Sequence, residues 1–386
     1  MKKELDMNKK IGLVISALWL VSACLHAGTP WLKKPLRFVE GDSVITWGYD
    51  GRDFRRTALT TNPTAQAFPI RLTRDAWNKR KATYTHWKKT ADQRNLVGGV
   101  GDEQTESQGM AAARWVEQAQ WLYLMQGDAA YIDCMERALF NAVMHTAQDS
   151  TELAGSIDRK IAASQLLTAP AWMYATQGTT DLYVNLYANA TSNIHWGDTT
   201  FSLDQITDMP ISGAVKFRFN GMGNKGLRFK VHLRMPEWTG MRKGTPYTYV
   251  GVEAQHPTVF VNGHEIDPLQ VDDKGYVVID RVWRSLEEIY IDFPLRAQYV
   301  LPAATPPERL QAPIQGRATL QWGPLVYFVG KAQAPQYVLP TQPVNPISTL
   351  SPSGYPVLQG TYYNTQDVPQ DAAAPAQSFI VQPYCD

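Results

Sequence analysis

The chain has 386 residues, 44% of them hydrophobic and 19% charged, with a formal net charge of +1. That length and composition suit a globular protein with a sizeable core and about two domains. The near-neutral balance gives no electrostatic reason for a nucleic-acid or anionic-membrane partner.

Lys9 and Lys10 precede the apolar run Ile11 to Val21, which ends in small residues, the layout of an export signal. The run is too short for a permanent membrane span. Val21-Ser22-Ala23-Cys24 resembles a bacterial lipobox, which would anchor the chain through a lipid on Cys24; cleavage after Ala27 is the alternative. Either route predicts an exported protein, periplasmic, lipid-anchored at the outer membrane or secreted. Beyond Cys24, only Cys134 and Cys385 remain, enough for one disulfide but not for a disulfide-built scaffold.

Between Thr29 and Lys81 a strand can be read only in "FVEGDSVITWGYDG". From Met110 onward Ala112, Trp115, Val116, Ala119, Leu122 and Tyr123 recur at three and four residues, predicting an amphipathic helix. "QGD" breaks the pattern, and Asp128 is placed to cap a second helix whose apolar face is Tyr131, Met135, Ala138, Leu139, Ala142 and Val143. Asp158 is placed to cap a third, "RKIAASQLLTA", ending near Pro170. After Pro170 short alternating runs separated by Gly, Pro and Asn-Gly turns predict a β-sandwich: "DLYVNLYAN", "AVKFRFN", "LRFKVHLRM", "PTVFVNG", "GYVVID", "EIYIDF" and "RATLQW". Beyond Lys331 the Pro-, Gln- and Ala-rich segment reads as a wrapping or flexible tail. The expected organisation is a signal over 1–27, a helical region over 28–175, a sandwich over 176–333 and a tail over 334–386.

The wording of these segments resembles glycoside hydrolase family 127, the β-L-arabinofuranosidase-like enzymes. "LRFKVHLRMPEW", "VFVNGHEI", "GYVVIDRVWRSLEEIYIDFPL" and "GRATLQWGPLVYFVG" resemble its sandwich, "NLVGGVGDE" its Gly-rich turn, and "GDAAYIDCMERALFNAVM" and "KIAASQLLTAPAWMYAT" its last helices. The resemblance runs from about Trp77 to Gly330. It implies an α+β multidomain chain: the last helices of an (α/α)6 barrel, most of which has no counterpart here, followed by an antiparallel β-sandwich. It also implies a carbohydrate partner, an arabinose-containing plant glycan.

In that family a Glu-x-Cys motif and a later Cys-Cys pair bind zinc, and one cysteine of the pair is the nucleophile. Counting back from Gly127 places the first motif on Gln108-Gly109-Met110; counting back from Lys160-Ile161 places the pair on Ser156-Ile157. Amide and thioether are poor substitutes for carboxylate and thiolate, so no zinc and no cysteine chemistry is expected. Cys134 falls where the family carries an apolar residue and is expected in the core. Carboxylate chemistry, if present, would use Glu106, nearest to the family's acid/base glutamate, together with Glu103; the plainer reading of Asp102, Glu103 and Glu106 is a solvated acidic loop. The seven histidines show no metal-binding spacing, and neither a phosphate loop nor a serine-hydrolase elbow occurs. Among the tryptophans that could build a sugar platform, Trp115, Trp121, Trp238 and Trp283 are expected in the core, leaving Trp47, Trp77, Trp87 and Trp196. Three readings stand: a hydrolase with a new carboxylate mechanism, a non-catalytic glycan-binding or scaffolding envelope lipoprotein, and a degenerate gene fragment.

Overall fold

A computed structural model describes residues 36–39, 41–46, 56–57, 108–148, 164–166, 168–242, 245, 247–251, 256–302, 305–307, 310, 312–315, 318–329, 337–352, 354–363 and 377–385. One sheet has the order β1 (Arg37–Phe38), β4 (Tyr174–Gln177), β5 (Asp181–Val184), β9 (Leu227–Arg234) and β13 (Tyr276–Trp283). Facing it is an eight-stranded sheet, ordered β12 (His264–Glu265), β11 (Thr258–Val261), β14 (Glu288–Asp292), β8 (Ala214–Asn220), β7 (Thr199–Thr207), β6 (Asn189–Trp196), β2 (Gly41–Thr46) and β3 (Arg56–Thr57).

The two sheets meet through alternate side chains. On β6 and β8 every second residue is buried. The inward set joins rings across the gap: Phe229 of β9 lies 5.8 Å from Phe201 and 4.8 Å from Trp196, and Trp283 of β13 lies 4.8 Å from Phe219. Burying each such ring contributes about 1.5–3 kcal/mol. The sandwich is therefore present, but its smaller sheet is mixed, because β5 pairs with β9 in parallel. The chain between them is spent on β6, β7 and β8 of the opposite sheet, so it re-enters from the same end.

β6 and β7 were not among the runs read as strands. Their inward positions include Ser192 and Gln205, both fully buried, which weaken the apolar alternation. Gln205 is satisfied there: its amide donates to the Leu186 and Ala188 carbonyls and accepts from the Tyr174 hydroxyl.

The helices cover the outer face of the smaller sheet. α1 (Gln108–Gln126) stops where Gly127 takes φ +67, and its N–H returns to the Tyr123 carbonyl. Asp128 then caps α2 (Ala129–Ala138) by accepting from the Ala130 N–H at 2.9 Å. The helix widens into a π turn over Leu139–Val143 before α3 (Met144–Gln148). Asn141 explains the widening. Its side-chain amide takes the Arg137 carbonyl, the acceptor its own backbone N–H would use in an α-helix, and also reaches the Pro324 carbonyl. Residues 164–166 and 168–172 are helical, so helix is present beyond Pro170, at Ala171 and Trp172, whereas Asp158 and the start of the expected third helix lie outside the described residues.

A second group of strands lies beyond the sandwich. β10 (Tyr247–Val250), β15 (Ala297–Pro302), β17 (Ala318–Trp322) and β18 (Leu325–Val329) form one sheet, and β16 (Ile314–Gln315) pairs with β19 (Tyr337–Val338). The segment read as a tail contains a three-stranded sheet of β20 (Asn345–Leu350), β21 (Pro356–Tyr362) and β22 (Gln377–Val381). It folds back on the molecule: the Tyr384 N–H donates to the Val326 carbonyl, and Tyr355 and Leu358 are fully buried. Among the described residues no helix is long and apolar enough to cross a membrane.

Candidate functional site

The densest set of ionisable groups lies where α2 meets β9. Arg234 ends β9 on the helix-facing side and is fully buried. Its guanidinium donates to Asp133 Oδ1 at 2.5 Å, to Glu136 Oε1, and through Nε to the Asn185 carbonyl. Arg242 reaches the other Asp133 oxygen and Asp128, Trp238 Nε1 donates to Glu136 Oε2 at 3.1 Å, and Arg137 pairs with Glu237. Asp133 and Glu136 share one helix face because they are three residues apart.

Burial pushes the Glu136 carboxyl upward, and Arg234 opposes the push. A glycosidase needs two carboxyl groups on either side of a sugar ring. Here both grip the same guanidinium, and their side chains are 2% and 5% exposed, so no sugar can come between them. The arrangement is a clamp of helix on sandwich. Asn141 extends it by accepting from the Val326 N–H at 2.9 Å, and Asn185 by accepting from the Tyr123 and Tyr276 hydroxyls.

A second constellation sits farther along the same sheet face. His232 Nε2 lies 2.8 Å from Asp181 Oδ1, and the imidazole stacks on Tyr183 with centroids 4.1 Å apart. Nδ1 is buried without a hydrogen-bond partner among the described residues, so the neutral ring donating from Nε2 is the form that fits.

Glu103, Glu106 and Asp102 lie outside the described residues, as do Cys24, Ser156, Ile157, Trp47, Trp77 and Trp87. Gln108 and Met110 open α1. Among the described residues no three His, Cys, Asp or Glu side chains gather in a way that could hold a metal. Cys134 is half-buried on α2 rather than sealed in the core, and it is not disulfide-bonded to Cys385. Trp238 and Trp283 are core residues as expected, and Trp196 joins them instead of standing on a surface. The clamp was missed as a unit, although its signal was present: acidic residues on a helix with buried neighbours on every side require cationic partners.

Residues 181–295 match the family model described as the β-L-arabinofuranosidase, GH127 middle domain. No curated protein matches the chain. The fold resembles that of a GH127 β-L-arabinofuranosidase from Geobacillus stearothermophilus T6, with TM-score 0.59 and 18% identity over 79% of this chain and 54% of that one. A second GH127 β-arabinofuranosidase gives 0.52 and 21% over 71% and 46%, and a further glycoside hydrolase gives 0.56 and 18% over 75% and 51%. The chain thus spans about half the length of these solved structures. The matched residues run from β5 to β14, the clamp ties them to the helices, and over that middle domain the chain is similar to glycoside hydrolase family 127.

Proposed function

We propose that this protein is exported and acts on or binds arabinose-containing plant glycans without the zinc–thiolate machinery of its relatives. The observation that carries this reading is the GH127 middle-domain match over 181–295, in a chain whose counted zinc positions hold Gln108 and Met110. A neutral amide and a thioether cannot supply the charge that would lower a thiol pKa at a zinc ion. Any hydrolysis must therefore come from carboxylates, with Glu106 as proton donor and Glu103 as its partner. The companion reading is a non-catalytic glycan binder, held to the membrane through lipidated Cys24. It is supported by the sealed state of Asp133 and Glu136, which removes the described carboxylate pair from contact with substrate.

The test is hydrolysis of chromogenic furanosides and pyranosides, β-L-arabinofuranoside included, by the mature chain with and without zinc. Turnover independent of zinc and abolished by Glu106→Gln establishes the carboxylate enzyme. Affinity for arabinan without turnover establishes the binder. Absence of both refutes the glycan assignment.

A further inference from the structure

The outer face of the eight-stranded sheet carries a row of half-buried and exposed side chains, apolar at Phe260, Tyr290 and Ile206 and interrupted by Lys216. Strand register sets Phe260 of β11 opposite Tyr290 of β14, Tyr290 opposite Lys216 of β8, and Lys216 opposite Ile206 of β7. Tyr290 is 39% and Ile206 57% exposed, and the Phe260 and Tyr290 rings lie 6.1 Å apart. The sandwich core uses the alternate residues of the same strands, so nothing in the packing of the two sheets needs this row.

Beside it, two residues along each strand, runs a polar row in which Glu288 pairs with Arg218 and Arg218 with Asp204. Its members are already held: Glu288 Oε1 lies 2.9 Å from Nζ of Lys216 in the first row, and Asp204 accepts from Thr191 Oγ1 at 3.0 Å and Asn220 Nδ2 at 2.9 Å. Asp292, opposite Thr258, flanks the other side.

We infer that this face is a glycan-binding platform, with Tyr290 and Phe260 stacking on the C–H faces of successive sugars and Glu288, Lys216 and Asp204 meeting their hydroxyls. Three features select that ligand. The strands are about 4.8 Å apart, so the row advances by roughly one sugar per strand along an extended glycan. The apolar row is one residue wide and bordered by fixed polar groups, whereas a protein partner needs a broad dehydrated centre. Lys216 and Arg218 alternate with Asp204, Glu288 and Asp292, so no excess of cations favours nucleic acid or anionic lipid, while neutral hydroxyl-rich molecules match alternating donors and acceptors. The platform deepens the glycan reading proposed above and rests on it. It also places binding on a surface far in chain order from Glu103 and Glu106.

Affinity electrophoresis of the full mature chain through gels containing linear arabinan, arabinogalactan or arabinoxylan tests the platform. Tyr290→Ala and Phe260→Ala should each weaken retardation by one of these by about ten-fold, with folding retained, while Leu286→Ala, more exposed and off the row, should not. Retardation of the wild type that both variants retain overturns the platform and leaves the glycan assignment standing. Wild type unretarded in all three gels overturns both. A change of oligomeric state in Tyr290→Ala, with retardation intact, assigns the face to self-association instead.

Discussion

Two sheet faces of this molecule look alike in sequence and differ in what lies over them. Along β9 the residues directed away from the sandwich core are Arg228, Lys230, His232 and Arg234, a charged stripe suited to solvent. Arg228 is mostly exposed, pairing with Asp280 in water, while Arg234 is fully buried against α2. On the eight-stranded sheet the equivalent positions Lys216, Arg218 and Glu288 stay partly exposed, with no helix among the described residues sealing them. Alternation identifies a strand; cover decides whether its charges are surface or keystone.

The sharpest way to break this comparison is to remove both ends of the same stripe. Arg234→Ala leaves Glu136 buried without a cation and Asp133 with Arg242 alone, and should cost about 3–5 kcal/mol in chemical denaturation. Arg228→Ala, which breaks an exposed pair, should cost at most about 1 kcal/mol. Equal losses would mean that the buried network does not hold the helix to the sandwich.

The residues that made the family legible in the sequence turn out to be those of the clamp. Asp133, Glu136, Arg137 and Asn141 lie in the "YIDCMERALFN" word, and Arg234, Glu237 and Trp238 in "LRMPEW". The words are specific because each buried polar group there tolerates only one partner geometry. Strands such as Ala214–Asn220 were readable because one face is apolar, and the Asp128 cap because helix starts demand an acceptor. The strands over Asn189–Thr207 were not, since buried Ser192 and Gln205 interrupt the apolar period. The tail was not, because the contacts of Tyr355 and Tyr384 lie far away in sequence. The carboxylate site proposed at Glu103 and Glu106 rests on spacing alone. The open aromatic row could not be found from sequence, because Phe260 and Tyr290 become neighbours only through the pairing of β11 with β14.

A smaller effect sharpens the account of the clamp. Asn141 donates to two carbonyls and accepts one N–H, and it joins the π turn to β18. Asn141→Leu keeps the branching of the side chain but strands the Pro324 carbonyl and the Val326 N–H. It should lower stability by about 1–3 kcal/mol. Hydrogen exchange at Val326 should accelerate with it; protection left as in the wild type would detach the π turn from that strand.

The smallest effect lies midway along the stripe, at His232, and depends on pH. Burial pulls the imidazole below the ordinary histidine range, against the pull of its bond to Asp181 and the nearby Asp272, with Lys230 adding to the lowering. As pH falls, the unfolded chain therefore takes up this proton before the folded one does. The contribution to stability is complete above about pH 6.5, the ordinary histidine value, and is lost as pH falls from there toward the lowered folded value. His232→Gln removes the titration while keeping a donor for Asp181. The stability difference between wild type and variant, measured by urea denaturation, should then shift toward the variant as the buffer is taken from about pH 7.5 to pH 5. A difference that stays constant across that range would mean that His232 is as free to protonate as an exposed histidine, and that the stripe is open at its middle as well as at Arg228.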